Sequence, residues 1–249
     1  MKRLDGKVAI ITGAANGMGE THTREFVKEG AKVVITDILE EAGKKLAEEL
    51  GENAIFVKLD VTKPEDWKNV VEKAKEAFGA VNILVNNAGY AGPFAPTADL
   101  EIEDYHRVIN IDQNGTFYGM KTLIPHMVES GGGSIVNIAS IAGSRHVFVS
   151  SSAAYTAAKH AVLGLTKAAA IEYGDKNIRV NAVLPGVILT PMVKENLPQE
   201  QQDAVGAKAP LRRLGDPREV TKVVTFLASD DASFVSGAEY VVDGGLLAE

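Results

Sequence analysis

Short apolar runs alternate with longer segments of helical period along this chain. The runs are rich in β-branched residues and are apolar throughout rather than at every second position, which indicates strands buried on both faces. We predict seven such strands, at residues 8–12, 32–37, 54–60, 83–86, 134–139, 179–184 and 239–243. Apolar residues three or four apart predict helices between them, at residues 20–29, 40–50, 64–78, 116–128, 154–173 and 217–228.

This alternation predicts an α/β fold. Strands that follow one another through helices form a parallel sheet, so we expect a doubly wound, Rossmann-type sheet of about seven strands with helices on both faces. Because no low-complexity linker divides the 249 residues, we expect a single domain over residues 1–249. The longest stretch without clear strand or helix, residues 186–210, is predicted to be a mobile lid over the substrate.

Composition and charge exclude several classes of function. The chain has 26 Lys and Arg against 33 Asp and Glu, and this net charge of −7 disfavours nucleic acid or an acidic membrane as a partner. It has no cysteine, and its five histidines lack the spacing of metal ligands, so no metal site is expected. We find no signal peptide and no apolar run near the ~18 residues that span a bilayer, and therefore expect a cytoplasmic protein that acts on a small molecule.

A glycine-rich loop follows the first predicted strand and has the sequence Thr12-Gly13-Ala14-Ala15-Asn16-Gly17-Met18-Gly19. Such a loop lets the backbone approach a pyrophosphate at a helix N-terminus. A glycine cluster alone is equally compatible with a simple turn, but here the second strand ends on Asp37, whose carboxylate can accept hydrogen bonds from a ribose. This order favours a dinucleotide site, with contacts from Gly13, Asn16, Gly17, Met18, Gly19 and Asp37.

Asp37 also bears on the choice of cofactor. Its carboxylate would repel the extra phosphate of NADP, and no basic residue follows in Ile38-Leu39-Glu40-Glu41. Asn16 in the loop is uncharged as well. We therefore predict NAD as the cofactor.

Tyr155 and Lys159 are four residues apart in a predicted helix, so they share one face. A tyrosine is a poor base at neutral pH, but an adjacent ammonium and an oxidised nicotinamide favour the phenolate, which can exchange a proton with an alcohol. By itself this spacing is typical of a surface pair. Ser140, however, follows the strand predicted to end at residue 139, at the sheet edge where α/β folds bind ligands.

Taken together, these motifs resemble the short-chain dehydrogenase/reductase superfamily, in its NAD-preferring branch, and are similar to hydroxysteroid and cyclic secondary alcohol dehydrogenases. The resemblance extends over residues 7–245, in the family's order and at roughly its spacings. The matching residues are Thr12-Gly-x-x-x-Gly17-x-Gly19, Asp60-Val61, Asn86-Asn87-Ala88-Gly89, Ser140, Tyr155-x-x-x-Lys159, Pro185-Gly186 and Thr190.

The resemblance implies a role for each matching residue. Tyr155 would be the general acid and base, Lys159 would hold the nicotinamide ribose and favour the phenolate, and Ser140 would bind the reacting oxygen. It also implies a homotetramer through the helices at 116–128 and 154–173. The implied cofactor contacts are Asp60 and Val61 at the adenine, Asn87, Ala88 and Gly89 along the cofactor, and Pro185, Gly186, Ile188 and Thr190 at the nicotinamide.

The chain departs from the family pattern at two places. Asp112 stands where the family usually has an asparagine that holds a water in a proton relay, so the relay could be rewired or could run through Asn110 or Asn114. The separation of Ser140 from Tyr155 is also a residue or two longer than usual. Serines in the lengthened loop, at positions 150, 151 and 152, could therefore compete for the role of Ser140.

The function expected from these residues is an NAD-dependent oxidoreductase that interconverts a secondary alcohol and a ketone. An apolar substrate pocket is predicted from Tyr90, Phe94, Val147, Phe148 and Met192. Reduction of 3-oxoacyl carrier-protein thioesters is an alternative that Asp37 and the net acidity disfavour, and sugar oxidation would need a more polar pocket. A non-catalytic dinucleotide-binding protein is a further alternative, which the presence of Ser140, Tyr155 and Lys159 disfavours.

Overall fold

Seven strands form one sheet in the computed structural model, which describes residues 2–146, 152–196 and 198–248. In sheet order they are β3-β2-β1-β4-β5-β6-β7, and each neighbouring pair is parallel. The predicted Rossmann-type sheet is thereby confirmed. The strands are Val8–Thr12 (β1), Lys32–Asp37 (β2), Ala54–Lys58 (β3), Ile83–Asn86 (β4), Gly133–Ile138 (β5), Ile178–Pro185 (β6) and Glu239–Val242 (β7).

The six predicted helices are present, with boundaries that differ by at most three residues. Three further helices, α4, α7 and α8, were not predicted. No helix among the described residues combines the length and the apolar character needed to cross a membrane. The helices are Gly17–Lys28 (α1), Glu40–Leu50 (α2), Pro64–Phe78 (α3), Ile102–Val108 (α4), Gly115–Glu129 (α5), Ala153–Tyr173 (α6), Pro191–Asn196 (α7), Gln199–Gly206 (α8) and Pro217–Ala228 (α9).

The segment at residues 186–210 corrects one expectation. We predicted no regular structure there, yet α7 and α8 both lie within it. These helices have only 6 and 8 residues, and α8 is made mostly of Gln, Glu and other polar residues. So short and polar a segment has no room to show an apolar period.

The order of the strands creates a crevice. The chain runs outward from β1 to the edge strand β3, then crosses back to β4, which pairs with β1 on its other side. Ile10 of β1 lies opposite Leu84 of β4 in this pairing. Because the connections leave β1 and β4 toward opposite sides, the carboxyl ends of these strands separate, and ligands of open α/β sheets bind at such a point.

Two apolar clusters cover the faces of the sheet. On one face Phe26 of α1 packs with residues of α9, and on the other Trp67 of α3 packs with Leu123 of α5. Trp67, Val70 and Val71 are buried and pack α3 onto the sheet. The prediction that all seven strands are buried is wrong for β7, where Val241 is 47% exposed, because this edge strand pairs with β6 alone.

Candidate active site

The glycine-rich loop is tied to the end of β2 by Asp37. One carboxylate oxygen, Oδ2, accepts a hydrogen bond from the backbone N–H of Ala15 at 3.0 Å, and Oδ1 accepts one from the N–H of Leu39 at 3.0 Å. The Asn16 side chain caps α1 by accepting from the N–H of Gly17 at 2.7 Å. The helix therefore begins at Gly17, three residues earlier than predicted, and its positive dipole end faces the crevice.

Gly19 lies where the loop meets the end of β4. A Cβ atom at this position would be 2.1 Å from the carbonyl oxygen of Gly13 and 2.7 Å from Nδ2 of Asn87. That amide nitrogen donates to the carbonyl oxygens of Thr12 at 2.8 Å and Gly13 at 3.1 Å. Only glycine fits this close approach, which closes the loop against β4.

Thr12 joins the same two segments through its side chain. Its buried Oγ1 accepts hydrogen bonds from the backbone N–H groups of Asn87 and Ala88, both at 2.9 Å. The Oδ1 atom of Asn87 is buried and has no hydrogen-bond partner within the described part of the chain. Because a buried polar atom without a hydrogen-bond partner is energetically costly, this oxygen is suited to accept a hydrogen bond from a bound ligand.

Asp60 follows β3, the edge strand next to β2 on the same side of the crevice as the glycine-rich loop. Its Oδ1 accepts from the backbone N–H of Thr62 at 3.0 Å and from the Thr62 hydroxyl at 2.7 Å, and Oδ2 is 3.7 Å from Nζ of Lys63. Burial raises the pKa of Asp60, but these hydrogen bonds and the Lys63 charge outweigh it and lower the pKa overall. The neighbouring Val61 packs against Gly115. A Cβ atom added to Gly115 would lie 2.9 Å from Cγ2 of Val61.

Helix α6 carries Tyr155 and Lys159 on consecutive turns. The helix is capped by Ser152, whose buried Oγ accepts from the backbone N–H of Tyr155 at 3.2 Å. Nζ of Lys159 lies 5.4 Å from the centroid of the Tyr155 ring. Ser152 is thus used as a helix cap, which argues against it as a substitute for Ser140, whereas residues 150 and 151 lie outside the described residues.

Lys159 is buried and has two oxygen partners. Its Nζ donates to the carbonyl oxygen of Ile138 at 3.0 Å and lies 2.9 Å from Oδ1 of Asp112. Burial lowers the pKa of Lys159, but the charges of Asp112 and Tyr155 raise it by more, so the pKa lies above its ordinary value. The side chain is therefore an ammonium at neutral pH, despite its burial.

Asp112 reaches Lys159 from a π-helical turn, Ile109–Asn114, that joins α4 to α5. Its Oδ2 accepts from the backbone N–H of Tyr90 at 2.9 Å. Asn110 and Asn114, the two alternatives for the relay position, hydrogen-bond to each other at 2.9 Å through exposed side chains. We did not foresee the contact between Asp112 and Lys159, because neither the π-helical turn nor α4 leaves a clear signal in the sequence.

Ser140 lies two residues beyond the end of β5. Its Oγ accepts from the backbone N–H of Ala142 at 3.1 Å and so starts a short 3₁₀ turn, Ile141–Gly143. A hydroxyl that accepts one hydrogen bond still has its own proton to donate. The half-buried Ser140 can therefore offer this proton to an oxygen in the crevice.

The segment after β6 returns toward the glycine-rich loop. The backbone N–H of Gly186 donates to Val242 of β7 at 2.9 Å, and Ile188 forms a parallel bridge with Gly215. Thr190 then comes close to α1, with its Cβ 3.9 Å from where a Cβ of Gly17 would lie. The predicted nicotinamide segment thus approaches the first turn of α1, the helix that follows the glycine-rich loop.

The predicted substrate pocket is described only in part. Tyr90 is half-buried, and the guanidinium of Arg107 lies over its ring at 4.5 Å from the centroid. Phe94 is 56% exposed, so its side chain does not line an enclosed pocket within the single chain. The other predicted members, Val147, Phe148 and the side chain of Met192, lie outside the described residues.

Comparisons with known proteins agree with this geometry. A family model described as enoyl-(acyl carrier protein) reductase matches residues 13–247. A cyclohexanol dehydrogenase from Acinetobacter sp. (strain SE19) is 46% identical over 97% of this chain and 95% of its own. The chain belongs to the short-chain dehydrogenase/reductase family.

Two further members of the short-chain dehydrogenase/reductase family have a similar sequence identity to this chain. A 3-alpha-(or 20-beta)-hydroxysteroid dehydrogenase from Mycobacterium bovis (strain ATCC BAA-935 / AF2122/97) is 44% identical over 99% of this chain and 91% of its own. A trans-4-hydroxycyclohexanecarboxylate dehydrogenase from Sinomonas cyclohexanicum is 43% identical over 98% of this chain and 93% of its own. These proteins are named for the oxidation of secondary alcohols.

Short-chain dehydrogenases/reductases bind a nicotinamide dinucleotide, and the residues of the crevice fit one. The close approach at Gly19 brings backbone to the position of a pyrophosphate, at the N-terminus of α1. Asp37 lies at the end of β2, the place where dinucleotide-binding folds carry an acidic residue for a ribose, and the Oδ1 atom of Asn87 is a buried acceptor without a donor among the described residues. The chain thus has the parts of a dinucleotide site at the switch point of its sheet.

Proposed function

We propose that this protein interconverts a secondary alcohol and a ketone with NAD as the cofactor. The observation that carries the proposal is the meeting of Tyr155, Lys159 and the Ser140 region at the carboxyl ends of the central strands, beside the glycine-rich loop. Lys159 lies 5.4 Å from the Tyr155 ring, and it is bonded to the carbonyl oxygen of Ile138, two residues before Ser140. This grouping supports proton transfer between Tyr155 and an alcohol oxygen bound beside it.

Each of the three side chains has a role that follows from its chemistry. Tyr155 takes the hydroxyl proton during oxidation and returns it during reduction. Lys159 carries a positive charge beside the ring, which favours the phenolate over the neutral phenol. Ser140 donates its hydroxyl proton to the reacting oxygen, where negative charge develops in the transition state. The bound nicotinamide supplies the hydride acceptor for this reaction.

The preference for NAD over NADP rests on Asp37. Its carboxylate is held by the N–H groups of Ala15 and Leu39, so it cannot turn away from a ribose phosphate without losing both bonds. Asp37 is followed by Ile38, whose side chain is 64% exposed and carries no charge to offset a phosphate. A second negative charge in this place would be repelled.

For the substrate class, we propose a cyclic or steroid secondary alcohol. The relatives described above are named for cyclohexanol, hydroxysteroid and hydroxycyclohexanecarboxylate substrates. The partly exposed ring of Tyr90 packs in the same apolar cluster as Tyr155, and its backbone is held by Asp112 next to Lys159, so Tyr90 adds aromatic surface near the reacting centre. A saturated ring is a good partner for such a surface.

We also propose that residues 186–210, with α7 and α8, form a lid over the substrate. The base of this segment is fixed, because Leu189 donates to Gly215 at 2.8 Å and Gly215 donates to Val187 at 3.0 Å. The two short helices beyond this base share few contacts with the sheet. Closure of the lid would exclude water from the reacting centre.

A homotetramer is proposed as the assembly, through α5 and α6. The two helices leave a stripe of small residues exposed, Ala157, Gly164 and Ala168, together with Phe117, which is 42% exposed. Ala158, which the sequence pattern of α6 would place on the same stripe, is buried within the protein. Sedimentation equilibrium tests this assembly, and a mass of one chain would contradict it.

The activity is tested with cyclohexanol, substituted cyclohexanols, 3-hydroxysteroids, an aldose and a 3-oxoacyl thioester, each with NAD(H) and NADP(H). We expect the absorbance of reduced cofactor to appear with cyclic alcohols and NAD. Turnover of only the aldose or the thioester would reassign the substrate class. No turnover, with NAD binding intact in calorimetry, would indicate a binding protein without chemistry.

Cofactor preference is tested with Asp37→Asn/Ile38→Arg, in which asparagine keeps one acceptor oxygen while the charge is removed. We expect the ratio of kcat/KM for NADP to that for NAD to rise on the order of 10- to 100-fold, as the repulsion becomes an attraction. Ile38→Arg alone is the control, because it adds the cation but leaves Asp37 in place. An unchanged ratio in the double variant would remove Asp37 from this role.

A further inference from the structure

Lys159 and Asp112 form an unusual ion pair. Their side chains are 4% and 0% exposed and the charged atoms are 2.9 Å apart. In every other ion pair among the described residues, each side chain is at least a quarter exposed. A buried ion pair costs much desolvation energy and adds little to stability, so a role in function is the more informative explanation.

Contacts from two segments, residues 89–90 and the first turn of α5, hold Asp112 in place. The N–H of Tyr90 donates to its Oδ2 at 2.9 Å, and the Thr116 hydroxyl donates to its backbone oxygen at 2.7 Å. A Cβ atom on Gly89 would be 2.9 Å from its Oδ1, so there is no space for the carboxylate to move that way. Asp112 is therefore held beside Lys159.

Few other charged or titratable groups approach this pair. Arg107 lies over the ring of Tyr90 and is exposed, His146 contacts Thr156 on α6, and the exposed His160 contacts the backbone of the same helix. Within the described part of the chain, only Asp112 and Tyr155 supply charge that raises the pKa of Lys159, against the lowering by burial. These two charges together therefore outweigh burial and keep the Lys159 side chain protonated.

We infer that Asp112 is a positioning residue that holds Lys159 as an ammonium and thereby determines the pH range in which Lys159 and Tyr155 act together. This inference rests on the proposed function of Tyr155. The Asp112 carboxylate favours the charged form of Lys159, so the lysine keeps its proton to higher pH. The same carboxylate, 2.9 Å from the ammonium, offsets part of the positive charge that Lys159 presents to the Tyr155 ring 5.4 Å away, so a neutral amide in its place should favour the phenolate further.

The asparagine usual in the family is the natural test, since Asp112→Asn keeps an acceptor for the N–H of Tyr90 and removes only the charge. Both ionisations should then move to lower pH. We expect the pH profile of kcat/KM for alcohol oxidation to move down as a whole, by about one pH unit on each limb. Asp175→Asn is the matched control, because it removes the same charge from an exposed turn after α6, and its profile should equal that of the unaltered protein.

A second measurement needs neither cofactor nor substrate. The absorbance of tyrosinate near 295 nm is titrated for the unaltered protein and for Tyr155→Phe, and the difference reports Tyr155 alone. We expect the midpoint of this difference to fall by about one pH unit when Asp112→Asn is introduced into both proteins. An unchanged or higher midpoint would overturn the inference. If no alcohol is turned over, the proposed function fails, but this titration still decides the role of Asp112.

Removal of one charge can also unfold the protein, so a second variant is included. Asp112→Asn/Lys159→Met removes both buried charges, and neither charge is left without a partner. Loss of the ammonium should raise the titration midpoint of Tyr155 and loss of the carboxylate should lower it, so the midpoint in the double variant should rise by only about half a pH unit above that of the unaltered protein. A shift larger than about one unit would show that Asp112 does not balance Lys159, and would overturn the inference even if Asp112→Asn alone does not fold.

Discussion

The two sides of the crevice are built in different ways. The nucleotide side comes largely from one continuous segment, residues 8–37, in which strand, loop, helix and strand follow each other and Asp37 bonds back to Ala15. The reaction side brings Asp112, Ser140 and Lys159 together from three segments that are far apart in the chain. The first side depends on backbone shape, and the second depends on a balance of charge. Substitutions should therefore damage the two sides by different mechanisms.

The largest expected effect is on the reaction side, from Tyr155→Phe. We expect kcat to fall about 1000-fold, because the hydroxyl that accepts the substrate proton during oxidation and donates it during reduction is removed. The dissociation constant for NAD, measured by calorimetry, should change little, since the nucleotide side is untouched. Tyr173→Phe at the end of α6 is the control and should keep full activity. A fall in NAD affinity as large as the fall in kcat would show that the two sides are not separable.

On the nucleotide side, Gly19→Ala should have the largest effect. The new Cβ would lie 2.1 Å from the carbonyl oxygen of Gly13, so the loop must shift. We expect a loss of about 3 kcal/mol in the free energy of unfolding, measured in urea, together with weaker NAD binding. Gly174→Ala, where a Cβ meets no atom within 4 Å, is the matched control and should be neutral or slightly stabilising.

A smaller effect tests the link between the two strands that flank the crevice. Thr12→Val keeps the shape of the side chain but leaves the N–H groups of Asn87 and Ala88 without their acceptor. We expect a loss of about 2 kcal/mol in unfolding free energy. Thr225→Val is the control, because the buried Oγ1 of Thr225 has no partner among the described residues, and its removal should be neutral or stabilising. Equal losses in the two variants would contradict the assignment.

The smallest expected effect appears on acidification and arises at His22, between α1 and α9. Burial lowers the pKa of His22 from 6.5 to about 3, and its Nδ1 is 2.7 Å from the Thr221 hydroxyl. Between pH 6.5 and about pH 3, His22 binds a proton in the unfolded chain but not in the folded protein. Stability is therefore complete above pH 6.5 and falls with pH, by about 1.4 kcal/mol for each unit down toward pH 3.

His22→Asn isolates this contribution, because an amide nitrogen can replace Nδ1 but does not titrate. Urea unfolding between pH 7 and pH 5 should show a loss of stability that is about 2 kcal/mol smaller in the variant. Parallel curves for the two proteins would mean that His22 is protonated in the fold or reached by water. The contribution should be the same with and without NAD, since His22 packs behind the nucleotide loop rather than within it.

The regular part of the fold could be predicted because each signal is local. The β-branched run Val8–Thr12 and the amphipathic period of Pro64–Phe78 are complete within their own segments, and both were located correctly. Helices α4, α7 and α8 could not be found, because 6 to 8 residues make too few turns for a period to show. The edge position of β7 also escaped prediction, since strand order is a property of the whole sheet.

The sequence by itself determined the Rossmann-type sheet, the dinucleotide loop and the identity of Tyr155, Lys159 and Ser140 as candidates, because each depends on spacing along one segment. Only the tertiary structure decided what Asp112 does. A π-helical turn directs this carboxylate into the interior, 2.9 Å from an ammonium that comes from another helix. Whether an acidic residue is solvated or becomes the counter-ion of a buried lysine depends on which segments the fold brings together, and no local pattern records that.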